Sequence, residues 1–178
     1  MTDASIDAGR LREHFEAFSE IGATAEGGVA RPALSDANGR ARDRLVEWFE
    51  AAGLDVTVDE MGNVFGRRPG TDPTAAPVLL GSHVDSQFDG GRYDGVVGVL
   101  GGLAVVWALN EADVATRHPI EVVSWTNEEG VRFQPDLLGS GVFTGRVDLA
   151  VAYAAAYAEG WTLESELERI GYRGEAPC

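Results

Sequence analysis

The sequence has no lysine, one cysteine and no long hydrophobic run, and each of these shortages excludes a class of protein or partner. All 14 basic residues are arginines, against 29 acidic residues, which gives a net charge of −15. Nucleic acids and anionic membranes bind positively charged faces, so this balance argues against both as partners. No run approaches the ~20 apolar residues of a membrane span. The composition therefore points away from nucleic-acid and membrane proteins.

The single cysteine limits the chemistry further. It is Cys178, so no disulfide can form within the chain, and any metal must be held by histidine and carboxylate side chains. Residues 1–7 contain neither a basic segment nor an apolar core, which predicts a cytoplasmic protein without a signal peptide. The acidic, lysine-free composition is typical of proteins that work at high salt, where screening removes self-repulsion. This halophilic interpretation predicts a fold that is less stable at low than at molar salt.

The hydrophobic pattern predicts a single α/β domain over residues 1–178, whose 44% hydrophobic content is sufficient for a core. Strand–helix alternation after residue 78 favours a three-layer sandwich with a mixed, mostly parallel central sheet. The apolar run 78–83 does not alternate, which predicts a buried strand. The predicted helices are 6–21, 35–53, 96–109, 147–158 and 163–170, and the other predicted strands are the hairpin 55–59 and 63–67 and the segment 120–126.

One histidine and three aspartates lie in the glycine-rich loop Gly81–Gly95, between a predicted strand and a predicted helix. Imidazole and carboxylate are the usual nitrogen and oxygen ligands of a catalytic zinc, and a carboxylate beside the histidine orients its ring. His83 is therefore a candidate ligand with Asp85 as its orienting partner, and Asp94 could both cap the helix and reach the metal. An ordinary half-buried histidine with a plain helix cap is the alternative. A phosphate loop is disfavoured, because the acidic residues would repel an anion.

A second acidic cluster, Glu128 and Glu129, follows the predicted strand 120–126. Open α/β folds place their ligands just past the carboxyl ends of strands. Neighbouring side chains of an extended segment point in opposite directions, so one glutamate could bind a metal while the other acts as general base. Two solvated surface glutamates are the alternative. The presence of both clusters at strand ends favours one shared metal site.

Four runs combine these residues with glycines: GSHVDSQ (81–87), GGRYDGV (90–96), WTNEEG (125–130) and GSGVF (139–143). Together they resemble the di-zinc amidohydrolases of metallopeptidase family 20. Within that family the chain is similar to the hydantoinase/carbamoylase branch, which comprises N-carbamoyl-L-amino-acid hydrolases, β-ureidopropionases and allantoate amidohydrolases. The likeness extends over nearly the whole chain, and its SQ and TN pairs favour the carbamoylases over the allantoate enzymes.

The resemblance implies a role for each candidate residue. His83 would bind one metal, Asp94 would bridge two metals, and Glu129 would bind the second. Glu128 would act as general base, and Asp85 would orient His83. The implied reaction is the attack of a water, activated by two divalent cations, on the carbamoyl or amide carbonyl of a small N-carbamoyl or N-acyl amino acid. Zinc is expected, and manganese or cobalt would also suit these ligands.

Two further polar residues and the remaining histidines complete the candidate list. Gln87 and Arg132 could approach the substrate, although a structural role is the alternative for each. His14 is expected on the polar side of the first helix, and His118 precedes a proline, so neither is assigned as a ligand. With only three ligands for two metals, the chain falls short of a complete site.

The resemblance also implies that part of the enzyme is missing. Family members are longer, with further metal-binding histidines and a dimerising lid domain in the part that would follow Cys178. Residues 1–178 would then be the amino-terminal part of the catalytic domain, truncated or complemented by a carboxy-terminal chain. An aminoacylase or peptidase of the same wider family, and a non-catalytic fragment, are the alternatives.

Overall fold

The computed structural model describes residues 4–178, apart from the side chain of Glu159. The first three residues of the predicted domain 1–178 lie outside this description. The helices are α1 (Ala8–Ser19), α2 (Asp36–Ala51), α3 (Val96–Glu111), α4 (Leu138–Phe143), α5 (Leu149–Tyr153) and α6 (Leu163–Arg169), with a 3-10 turn at Ala158–Gly160. The strands are β1 (Asp55–Val58), β2 (Val64–Arg68), β3 (Val78–His83) and β4 (Ile120–Trp125).

Four strands form one mixed sheet in the order β1-β2-β4-β3. Strands β1 and β2 form the predicted hairpin, β2 pairs antiparallel with β4, and β3 pairs parallel with β4. The α/β fold with a mixed sheet and flanking helices is therefore confirmed. Only one of the three pairings is parallel, fewer than expected, because the hairpin joins β4 in the antiparallel direction.

The three long helices form one layer on one face of the sheet. The ring of His14 in α1 lies 4.5 Å from that of Trp48 in α2 and 4.4 Å from that of Trp107 in α3. Asn110 near the end of α3 donates a 2.9 Å hydrogen bond to the carbonyl of Ala52, just after α2. The expectation that His14 lies on the polar side of its helix is wrong, because its ring fills the space between two tryptophans.

Strand β3 is more exposed than its apolar sequence predicts. It occupies an edge of the sheet, where Val78 is 48% and Leu79 is 38% exposed. The prediction of a buried strand is wrong within the described residues, because β3 has a neighbouring strand on one side only. Helix α3 packs on β3 and β4, and its residues Val99, Leu100 and Leu103 belong to the core.

The remaining helices match the predictions with two exceptions, of which the first is the short α4, a segment that was not predicted to be helical. Ser35 caps α2 by accepting a hydrogen bond from the amide of Asn38, as expected for an N-cap. The predicted helix 147–158 is reduced to the short α5, which ends at Tyr153. None of the helices in the described part of the chain combines the length and apolarity needed to cross a membrane.

Candidate metal centre

The parallel pairing of β3 with β4 brings the two acidic clusters to the same edge of the sheet. His83, the last residue of β3, is in register with Trp125, the last residue of β4. Parallel strands end on the same side, so the glycine-rich loop (residues 81–95) and the turn after β4 emerge next to each other. We call residues 126–130 the glutamate turn. The predicted meeting of the two strand ends is therefore present.

Two of the predicted site residues, Glu128 and Asp94, lie close to one ring nitrogen of a third, His83. The imidazole Nε2 of His83 lies 3.3 Å from Oε2 of Glu128 and 3.9 Å from Oδ1 of Asp94. The His83 side chain is 5% exposed, whereas that of Glu128 is 31% exposed. Nε2 thus points from a buried ring toward two carboxylates at the surface.

The other ring nitrogen of His83 is held by a backbone group. Nδ1 lies 2.9 Å from the carbonyl oxygen of Asp85, while the Asp85 carboxylate is 3.7 Å away, beyond hydrogen-bond distance. A carbonyl can only accept, so Nδ1 donates to it and Nε2 is the nitrogen that faces the two carboxylates. Asp85 therefore orients His83 through its backbone, and the expectation that its carboxylate does so is not met.

The Asp85 carboxylate contacts the glutamate turn instead. Its two oxygens accept hydrogen bonds from the backbone amides of Glu128 (3.4 Å) and Glu129 (3.2 Å). Burial raises the pKa of Asp85, and the neighbouring His83, these amide bonds and Arg42 all oppose that rise. The carboxylate therefore ties the two strand ends together.

Asp94 does not cap helix α3 as expected. The N-cap is Gly95, which offers no side chain for a capping bond, so the carboxylate of Asp94 remains 67% exposed. Gly95 has φ +66°, and a Cβ at this position would lie 2.5 Å from Nε2 of His83. Glycine is required here because both the backbone conformation and the closeness of the imidazole exclude a side chain.

The two glutamates differ in their surroundings. Oε2 of Glu129 accepts a hydrogen bond from the side chain of Gln87, and Oε1 is buried without a partner among the described residues. Burial raises the pKa of Glu128, His83 opposes this rise, and the nearby carboxylates Asp85, Glu129 and Asp94 add to it. Gln87 thus contacts a predicted ligand of the site.

Arg132 has a structural role, which was the alternative to a contact with the substrate. Its guanidinium donates to the carbonyl of Ala33 (2.7 Å) and to Oε2 of Glu166 (2.9 Å), and its side chain is 7% exposed. Glu166 also pairs with Arg169 at 2.8 Å. Arg132 therefore helps to hold α6 in place.

Sequence reasoning missed a buried polar group beneath the glutamate turn. Arg42 of α2, Asn63 and Thr126 are each at most 1% exposed and are joined by hydrogen bonds. A signal was present, because Arg42 lies on the same face of α2 as the buried Asn38, Leu45 and Phe49. An arginine on the apolar face of a helix indicates a buried, fully bonded guanidinium.

The donor set fits a divalent cation in kind but not in number. An imidazole nitrogen of His83, a buried carboxylate oxygen on Glu129 without a partner among the described residues, and two further carboxylates are suitable ligand types. Within residues 4–178, however, no group of three or more His, Cys, Asp or Glu is arranged to hold a metal by itself. His118 is exposed, with Nδ1 2.8 Å from the carbonyl of Ala76. The described residues thus offer donor groups of the kinds that bind a cation, without a complete set of ligands.

Comparison with known proteins places these observations in a family. The family model described as Peptidase family M28 matches residues 63–157. N-carbamoyl-L-amino-acid amidohydrolase of Rhizobium meliloti is 48% identical over 170 residues, which are 96% of this chain and 41% of that protein. The enzyme of the same name from Geobacillus stearothermophilus is 40% identical over 93% of this chain and 40% of that protein.

Solved structures agree with the sequence relatives. The crystal structure of a hydantoinase/carbamoylase family amidase from Burkholderia vietnamiensis superimposes with a TM-score of 0.97 at 52% identity, covering 100% of this chain and 43% of that one. The amidase of Burkholderia ambifaria gives 0.96 at 52% identity, covering 98% and 43%. The chain therefore spans about two fifths of the length of the relatives it matches.

The relatives and the solved structures confirm the similarity to the hydantoinase/carbamoylase branch. The family model that matches is that of peptidase family M28, whereas the motifs resembled metallopeptidase family 20. The model covers 95 of the 178 residues, counted from 63 to 157. The chain accordingly belongs to peptidase family M28 and is similar along its length to the hydantoinase/carbamoylase amidases.

Proposed function

We propose that this chain carries part of the active site of a metal-dependent hydrolase of linear amides whose substrates are N-carbamoyl-L-amino acids. The observation that carries this proposal is the convergence of Glu128 and Asp94 on Nε2 of His83, at the shared end of two parallel strands. The names of the relatives support the substrate class, since several are N-carbamoyl-L-amino-acid amidohydrolases at 40–48% identity.

In this proposal the side chains divide between holding cations and moving a proton. His83 would hold one divalent cation through Nε2, Glu129 would hold a second, and Asp94 would serve as a ligand to both. Zinc, manganese or cobalt would suit these ligands, and the cations, when bound, would make a water nucleophilic. Burial of His83 and its fixed tautomer support its role, because a ligand imidazole must be neutral and correctly oriented.

Glu128 is proposed as the general base. Its carboxylate lies beside His83 and is partly exposed, so it can reach both a water in the site and a substrate that enters from solvent. It would take the proton of the attacking water and return it to the leaving nitrogen. For a carbamoyl substrate, cleavage gives the free amino acid, carbon dioxide and ammonia.

We further propose that residues 1–178 are the amino-terminal part of the catalytic domain. The shared length of about two fifths supports this division, and the incomplete ligand set agrees with it. A carboxy-terminal chain or segment would then supply the remaining ligands, the substrate-carboxylate contacts and the dimerising lid. The acidic, lysine-free composition supports adaptation to high salt.

The proposal can be tested by measuring ammonia release from N-carbamoyl-L-amino acids. The chain is assayed with zinc, manganese or cobalt, alone and mixed with the carboxy-terminal remainder of the 52%-identical amidase from Burkholderia vietnamiensis. We expect turnover in the mixture that depends on the added metal. Turnover that persists in a Glu128→Gln variant would contradict the proposed base.

Peptide hydrolysis is the second candidate, favoured by the name of the matching family model. Dipeptides and N-acetyl amino acids in the same assay distinguish a peptidase or aminoacylase from a carbamoylase. The absence of turnover with every substrate and metal, in the mixture as well as alone, would favour a non-catalytic fragment.

A further inference from the structure

A buried arginine lies directly beneath the glutamate turn. Arg42 is 1% exposed, and its guanidinium donates three hydrogen bonds to three separate parts of the chain. Nε donates to Oδ1 of Asn38 (3.0 Å), Nη1 to the carbonyl of Gly62 (2.6 Å) and Nη2 to Oγ1 of Thr126 (2.9 Å). Helix α2, the turn between β1 and β2, and the end of β4 therefore meet at one side chain.

Every polar group of Thr126 is bonded to a different segment. Its hydroxyl accepts from Arg42, its amide donates to Oδ1 of Asn63 (2.9 Å), and its carbonyl accepts from the amide of Gly139 (2.9 Å). Asn63 is itself fixed, because its Nδ2 donates to Asp59 at 2.8 Å. Thr126 is consequently a rigid point at which the chain leaves β4.

The glutamate turn starts from this point. Asn127 has φ +55°, a left-handed conformation that is uncommon outside glycine, and its Nδ2 donates to the carbonyl of Phe133 at 2.8 Å. The next two residues, Glu128 and Glu129, bond through their amides to Asp85. Any displacement of Thr126 would therefore be transmitted to both glutamates.

The positive charge of Arg42 also stabilises the glutamate turn, through its attraction to the carboxylate of Asp85. Burial lowers the pKa of Arg42, and the largest opposing influence is the carboxylate of Asp85. The arginine thus offsets the buried negative charge that holds the amides of the glutamate turn. A lysine at this position would keep the charge but could not reproduce the planar fork that reaches three acceptors.

We propose that Arg42 is a positioning residue that acts through Thr126 to fix the glutamate turn, and with it Glu128 and Glu129. Its meaning for catalysis rests on the proposed function, whereas its structural effect on the turn does not. Arg42 touches neither substrate nor cation in this account. It sets the place of the groups that do.

A matched pair of substitutions tests the proposal in the 178-residue chain. Thr126→Val has nearly the shape of threonine but removes the hydroxyl that accepts from Arg42, whereas Thr126→Ser keeps it. The primary readout is amide hydrogen exchange, measured by NMR, at Glu128 and Glu129 and at Leu103 in the core of α3. Binding of Mn²⁺ to the chain mixed with the carboxy-terminal remainder of the Burkholderia vietnamiensis amidase, measured by calorimetry, is the second readout.

We expect Thr126→Val to accelerate exchange at both glutamate amides by roughly tenfold or more, the size of effect that follows from losing a bond to a charged donor. Exchange at Leu103 should change less, and Thr126→Ser should resemble the unsubstituted chain at all three amides. Arg42→Lys should reproduce the selective acceleration if the variant folds. Thr126→Val keeps the test decisive if it does not.

Two results would overturn the proposal. Unchanged exchange at Glu128 and Glu129 in Thr126→Val would show that the turn does not depend on this bond. Equal acceleration at all three amides would show a general loss of stability without positioning. Selective acceleration without Mn²⁺ binding, even after mixing with the carboxy-terminal remainder of the Burkholderia vietnamiensis amidase, would support the positioning role while counting against the proposed function, so the two failures are distinguishable.

Discussion

The two segments that form the candidate metal centre are held in different ways. The glutamate turn is fixed from below by Arg42 and Asn63 and from the side by Asp85, so its backbone is bonded on every side. The far end of the glycine-rich loop has no comparable support. There the carboxylate of Asp94 is 67% exposed, and its nearest charged partner is His83 at 3.9 Å.

This difference indicates where the site is preformed and where it is adaptable. The side that carries the proposed general base is built into the fold before any cation arrives. The opposite side contributes a carboxylate that is free to adjust. A catalytic base must be placed accurately relative to the reacting atoms, whereas a ligand can be drawn into place by the charge of the cation.

The largest effect is expected from His83, where the two segments meet. His83→Ala should weaken binding of Zn²⁺ or Mn²⁺ by more than the roughly 10–100-fold that loss of an outer-shell partner costs, because Nε2 is the proposed ligand itself. Titration calorimetry of the chain mixed with the carboxy-terminal remainder used in the activity assay measures the change. His118→Ala is the control, since this exposed histidine should leave the affinity unaltered. Equal losses in the two variants would contradict the assignment of His83.

Gly95→Ala probes the contact between the glycine-rich loop and the imidazole. The added Cβ would require a disfavoured backbone conformation and would displace His83, so the free energy of unfolding should fall by about 3 kcal/mol. Urea unfolding gives the value. Gly91→Ala is a matched control, because a Cβ there meets no atom within 4 Å. Similar stability of the two variants would show that the loop tolerates movement around His83.

Asp85→Asn tests the link between the two segments. The amide offers one oxygen where the carboxylate serves two backbone amides, and it leaves the buried charge of Arg42 without its main counterpart. The free energy of unfolding should fall by about 2 kcal/mol. Glu13→Gln, an exposed change on α1, serves as control in the same urea titration. If Asp85→Asn and Glu13→Gln have the same free energy of unfolding within error, the Asp85 carboxylate does not hold the two segments together.

Glu166→Gln tests how much a buried ion pair outside the candidate metal centre contributes to the free energy of unfolding. Burial tends to raise the pKa of Glu166, but hydrogen bonds from Arg169 and Arg132 outweigh it, and the net pKa is lowered. Its contribution to stability is therefore present above the unfolded pKa of about 4.3 and is lost as the pH falls through the lower folded value.

Glu166→Gln should accordingly lower the free energy of unfolding by about 1.5 kcal/mol at pH 7. The difference from the unsubstituted chain should shrink as the pH falls below about 4.3, because the unfolded chain takes up a proton there and the native glutamate follows only at its lower pKa. Urea titrations at neutral and acid pH measure both values. A difference that grows toward acid pH would mean that the sign of the pKa shift is wrong.

The smallest change in stability is expected for Asp94→Asn. Its exposed side chain has little to lose on substitution, so the free energy of unfolding should change by less than about 0.5 kcal/mol. Cation affinity should nevertheless fall, because the carboxylate is a proposed ligand. A loss of stability as large as that of Asp85→Asn would show that the loop is as firmly held as the glutamate turn.

Local sequence features predicted the parts of the site that depend on strand ends. His83 and Glu128 each follow an apolar run, and the rule that ligands gather past parallel strands was enough to bring them together. The start of α2 was predictable for the same reason, since Ser35 is a strong N-cap. These features depend on neighbours in the sequence.

The parts that could not be predicted depend on residues far apart in the chain. Arg42 and Thr126 are 84 positions apart, and nothing in the sequence around either residue specifies the other. Nδ1 of His83 lies 2.9 Å from the Asp85 carbonyl and 3.7 Å from the Asp85 carboxylate, and this difference depends on loop geometry that the residue types do not specify. The exposure of β3 depends on how many strands lie beside it, which the strand's own composition does not encode.

The free edge of β3 has a practical consequence for work with this chain. Among the described residues, β3 is paired only with β4, so the backbone amides and carbonyls on its other side can pair with an extended segment. The exposed side chains of Val78 and Leu79 add a hydrophobic surface at the same place. We therefore expect the β3 strands of two copies to pair with each other in a concentrated solution. Turbidity that rises with concentration, and clears when a strand-forming peptide occupies β3, is the behaviour to anticipate at the bench.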